Sequence, residues 1–164
     1  LMARAYQEDA AEGAALASRL ARLTLAAMVV VAAVLALVLR PLVVAVFGPG
    51  FADAAGVLAV LAPGIVAAGL SGQLASFLST HGRLFPGVAT LGLAVNFALN
   101  LATIPFFGYW GAAAATTVSY TLGAALIVRA YLAETGQRAG DVLIARPSDV
   151  AFAFAALRAL RERR

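Results

Sequence analysis

Two long stretches without a charged residue set the limits on this chain: 54–80 holds none across 27 positions, and 84–128 holds none across 45. A soluble domain of ordinary composition interrupts such runs, because about a quarter of its residues are charged. Here 12% are charged and 63% are apolar, which points to lipid as the surrounding solvent. Within hydrocarbon every backbone N–H and C=O must be satisfied inside the protein, so a spanning segment is a helix of about 20 apolar residues or a strand of a closed barrel. The expectation is an all-α polytopic membrane bundle of about four helices, at 23–47, 52–80, 84–105 and 111–131. The 45-residue gap is long enough for two of them, and the run 23–47 is broken only by Arg40.

The breakers fit this division. Gly48-Pro49-Gly50 closes the first span, His81-Gly82-Arg83 separates the second from the third, and Phe106-Phe107-Gly108-Tyr109-Trp110-Gly111 forms a turn whose rings suit the headgroup level. Pro41 and Pro63 are expected to kink the helices that contain them. Residues 1–22 read as an interfacial segment or connector, and 134–164 as an Arg-rich cytoplasmic tail. The opening Leu1-Met2 lacks an initiator Met and a signal-peptide core, so the chain reads as the C-terminal piece of something longer.

Every basic residue is Arg and the net charge is +4. The bias toward arginine in the His81 loop and in the tail places both on the cytoplasmic side of a plasma membrane, with both termini inside. The tail arginines, Arg158, Arg161, Arg163 and Arg164, are expected to hold 148–164 on the anionic inner leaflet. This charge is read as topology, with no nucleic-acid partner.

No enzyme is expected. The chain has one His, no Cys and, apart from Asp53 at the very edge of the second, no carboxylate inside a span, so acid–base, nucleophilic and metal-assisted mechanisms lack their groups, and neither metal nor cofactor is called for. Uncharged polar residues are more informative, because they recur at helical spacing: Gln73, Ser76 and Thr80; Asn96, Asn100 and Thr103; Thr116, Ser119 and Tyr120. Each stripe reads either as interhelical hydrogen bonding or as one wall of a hydrated cavity. Small residues at Gly64, Ala68 and Gly72, and at Ala115, Ser119 and Gly123, add packing stripes. Arg40 is either a snorkelling anchor or a grip on an anionic group, with Asp53 as its nearest candidate partner.

From Asn96 to Tyr120 the chain reads Asn96-x3-Asn100-x3-Ile104-Pro105-x2-Gly108-x2-Gly111-Ala-Ala-x-Ala115-Thr116-x2-Ser119-Tyr120. This resembles a pattern of the polysaccharide and lipid-linked oligosaccharide flippases of the multidrug/oligosaccharidyl-lipid/polysaccharide exporter superfamily. Pro41, Phe47-Gly48 and Phe51 upstream, and the His81-Gly82-Arg83 turn, are similar to that family's loops in the same order, over about residues 15–133. The resemblance implies a transporter of about 12 to 14 spans in two bundles with alternating access, of which this chain supplies part of the C-terminal bundle. It implies movement of a lipid-linked saccharide without covalent chemistry, with membrane lipid, the saccharide substrate and the remaining N-terminal helices as partners. Arg40, Gln73, Asn96, Asn100, Thr116, Ser119 and Tyr120 are the candidate substrate contacts. The alternatives are a drug/cation antiporter of the same superfamily, which wants an intramembrane carboxylate, and a structural four-helix membrane subunit.

Overall fold

The computed structural model describes residues 10–79, 85–149, 151–152 and 158. The His81-Gly82-Arg83 turn, Thr80, and the tail residues Arg161, Arg163 and Arg164 lie outside them. The described chain is an all-α bundle: α1 is Ala10–Phe47, α2 is Ala52–Ser79, α3 is Phe85–Thr135 and α4 is Ala139–Leu143. The first three are long and apolar enough to cross a membrane.

The start of α1 at Ala10 makes the polar segment 10–22 the foot of the first long helix, continuous with the apolar run that follows. Alanine favours this, since it loses no side-chain entropy in a helix. Both α1 and α2 run on through Pro41 and Pro63. Between them Gly48 takes φ +90°, a conformation L side chains rarely adopt, and one turn of 3-10 helix, Pro49–Phe51, reverses the chain.

Within the 51 residues of α3, Gly108 breaks the helix with φ 55° and ψ −133°. That combination belongs to glycine. Pro105 prepares the break by removing an N–H from the ladder and crowding the preceding turn. The two arms, 85–107 and 109–135, then fold back on each other. Asn96 Nδ2 reaches Thr116 Oγ1 at 3.5 Å, although twenty residues of straight helix would put them about 30 Å apart. At the turn Gly111 packs so closely that a Cβ there would lie 2.7 Å from the Thr103 carbonyl oxygen. Each arm exceeds the roughly 20 residues a span needs, so the described helices present four membrane-length rods.

Burial is uneven along these rods. The core gathers where the foot of α1, the end of α2, the end of α3 and α4 meet: Ala17, Ala21, Leu74, Phe77, Tyr131 and Val142. Toward the Gly48 and Gly108 turns the large apolar side chains face outward, with Leu37 80% and Phe106 81% exposed. Such an apolar surface is suited to lipid rather than water.

Candidate functional site

A cleft of about 420 Å³ opens between α2 and the two arms of α3. Its polar lining is Ser71, Asn96, Thr116, Ser119 and Tyr120. The hairpin at Gly108 brings the Asn96 and Thr116 stripes face to face, so two of the three polar stripes in the sequence share one wall. Asn100 Nδ2 donates to the Asn96 backbone carbonyl and to Asn96 Oδ1, both at 2.9 Å. With its oxygen held this way, the Asn96 amide presents its NH2 group toward Thr116 and the cleft. Ser119 is buried and donates to the Ala115 carbonyl at 2.7 Å, whereas the half-exposed Tyr120 lines the cleft.

The remaining candidates fall elsewhere. Gln73 is half-buried on α2 and lines no described cavity. Ser76 is exposed and donates to its own helix at Gly72, as Thr103 does at Leu99. From α2 it is Ala68 and Ser71 that face the cleft. Arg40 lies in a separate, apolar groove between α1 and α2, together with Asp53 and Trp110. Of the small-residue stripes, Gly64 marks a real interface: a Cβ there would meet Thr117 Cα at 2.7 Å, and Thr117 Oγ1 donates across it to the Val60 carbonyl at 2.6 Å. Gly72 and Gly123 face open space.

A second polar cluster, at the closed end of the bundle, was not read from the sequence. Arg22 forms a forked pair with Asp149, Nε to Oδ2 and Nη2 to Oδ1, each at 2.7 Å. Both side chains are buried, at 6% and 1% exposure. Arg22 also donates to the Asp141 carbonyl, and the Arg146 N–H donates to Asp149 Oδ2 at 2.9 Å. Tyr131 donates its hydroxyl to the Ala14 carbonyl at 2.6 Å and sits 2.8 Å from Ser18 Oγ. The hydrogen bonds from Arg22 outweigh desolvation and hold the Asp149 carboxyl down at about 2. Asp141, exposed in the first turn of α4, is also lowered, chiefly by the Arg138 backbone N–H and then by the Arg146 side chain. The legible half of this cluster was the row Ala14, Ala17, Ser18, Ala21, Arg22, four small residues and one arginine with helical spacing on one face. Its partner lies 127 positions away, beyond any local pattern.

Among the described residues no three His, Asp or Glu side chains gather to hold a metal. No family model, characterised protein or solved structure matches the chain.

Proposed function

We propose that this chain is a non-covalent membrane translocation module for a lipid-linked saccharide, with the α2–α3 cleft as its saccharide contact. The observation that carries the reading is the pairing of Asn96, held by Asn100, with Thr116 across a polar cleft inside helices long enough to span a membrane. Amides and hydroxyls match the mixed donors and acceptors of sugar hydroxyls, and their apolar surroundings suit a substrate that carries a lipid. The sequence resemblance points the same way. Asn96→Leu is expected to lower transbilayer movement of a polyprenyl-diphosphate saccharide more than tenfold, on the order of one lost hydrogen-bond pair, with membrane insertion and helix content unchanged. Asn96→Gln keeps part of it. Wild-type transport by Asn96→Leu would overturn the reading.

A structural membrane subunit is the second reading, and one observation favours it: the hydroxyls of Ser76, Thr103 and Ser119 are each satisfied by their own helix. Under that reading Asn96→Leu loosens helix packing and leaves no transport to lose.

The turns at Gly48 and Gly108 share one end of the bundle, since Gly56 packs on Trp110. The expected orientation puts this end outside. Single cysteines at Ala52 and Tyr109 should react together with an impermeant thiol reagent from outside, and one at Arg138 only after permeabilisation. Labelling in the opposite sense would invert the topology.

A further inference from the structure

The groove between α1 and α2 is not part of the saccharide cleft. It encloses about 580 Å³ and runs from Met28 and Val66 at its deep end to Arg40, Asp53 and Trp110 at the other. The α1 wall from Met28 to Arg40 is about 18 Å long at 1.5 Å per residue. Between the ends the walls are aliphatic, with Leu35, Leu58 and Ile65 among them. At membrane depth such an aliphatic concavity offers water no polar partners and suits an alkyl chain.

The charged end says which lipid. Arg40 and Asp53 line the same groove, yet among the described residues no ion pair joins either to any other group. Arg40 stands seven positions before Phe47, the end of α1, so its Cα is about 10 Å below the turn. Asp53 lies in the first turn of α2, beside the turn itself. Tyr109 and Trp110 mark the headgroup level at this end. The order from hydrocarbon outward is therefore alkyl groove, cation, anion. A zwitterionic phospholipid presents the complementary order: acyl chain, phosphate, ammonium.

We propose that the α1–α2 groove binds one phospholipid whose head group carries a primary ammonium, with its phosphate on Arg40, its ammonium on Asp53 and an acyl chain between Met28 and Leu58. Arg40 supplies a planar fork of donors to the phosphate. A primary ammonium donates to the Asp53 carboxylate, which a quaternary ammonium cannot do, and the uncharged glycerol of phosphatidylglycerol brings Asp53 no positive charge. This site stands independently of the saccharide reading.

Trp110 is the single tryptophan of the chain and lines the groove, so its fluorescence reports what occupies it. The chain is reconstituted in phosphatidylcholine vesicles with small mole fractions of brominated-chain phosphatidylethanolamine, phosphatidylglycerol or phosphatidylcholine. Half-quenching should require about fivefold less brominated phosphatidylethanolamine than either of the others, in line with one or two charge-assisted hydrogen bonds. Asp53→Asn should bring the three lipids within about twofold of one another, whereas Arg40→Gln, which removes the phosphate contact common to all three, should weaken quenching by each of them, both with unchanged helical circular dichroism. Ala62→Leu, which fills the groove wall, should weaken quenching by all three. Equal quenching by the three head groups in the wild-type chain overturns the proposal, as does a preference that survives in Asp53→Asn or quenching that Arg40→Gln leaves unchanged. Fluorescence that ignores the brominated lipids and follows protein-to-lipid ratio instead places a second copy in the groove, and also overturns it.

Discussion

Asp149→Asn should destabilise the closed end of the bundle by about 3–5 kcal/mol, the range for removing one partner of a buried ion pair. The size follows from burial: Asp149 is 1% exposed and Arg22 6%, so the orphaned guanidinium keeps its charge in a site where water cannot solvate it. Arg19, 3.7 Å from Asp149 and 40% exposed, is too distant and too wet to compensate. The segment 138–149 should detach from α1, and protease cleavage within it should become rapid in detergent-solubilised protein. Replacing both partners by apolar residues, Arg22→Met with Asp149→Leu, should restore most of the loss, because no charge is left buried. If Asp149→Asn alone leaves protection of 138–149 unchanged, the pair is not what holds that segment.

The same contact has a defined pH dependence. The Asp149 carboxyl sits at about 2 against an ordinary value of 3.8. A depressed folded value means that the contribution is fully present above the ordinary carboxylate range and is lost as pH falls through about 2. Docking of 138–149 should therefore be constant from neutral pH down to about 4 and fail only on approach to pH 2. In Asp149→Asn the segment should be undocked throughout.

The second large effect is geometric. Spin labels on cysteines introduced at Leu93 and Gly123, both lining the saccharide cleft, should lie within about 20 Å of each other, whereas a straight α3 would separate them by about 45 Å. The chain contains no cysteine, so the two labels are unambiguous. Gly108→Val should shift this distance upward or broaden it. A β-branched residue at φ 55°, ψ −133° costs about 1–3 kcal/mol in backbone strain, and the chain can relieve that strain by straightening. Loss of the hairpin also removes the Asn96–Thr116 approach, so Gly108→Val should abolish any activity that depends on the cleft. A short distance that Gly108→Val leaves unchanged would mean that packing on α2, through Gly64 and Thr117, suffices to hold the arms together.

The helices were legible because their cause is local. Charge-free runs at 54–80 and 84–128 can satisfy their backbone in lipid only by coiling on themselves, and Gly48 and Gly108 mark reversals that other residues resist. Pro41 and Pro63 lie within continuous helices, since a helix in a bundle can tolerate a missing hydrogen bond when neighbouring groups and packing support it. Pro105, three residues before Gly108, precedes the one break inside a described helix.

Sequence by itself determined the solvent, the helical class and which residues carry polar groups on each rod. Periodicity, however, fixes only relative angles within one helix. The way Gly108 turns α3 decided that Asn96 faces Thr116, and the rotation of α2 decided that Ser71 faces the cleft in place of Gln73 and Ser76. The separation of Arg40 from the polar stripes follows from the pairing of α1 with α2, and the union of Arg22 with Asp149 from the return of the chain after α3. These are contacts between residues far apart in sequence, selected by how whole helices pack, and no local pattern encodes them.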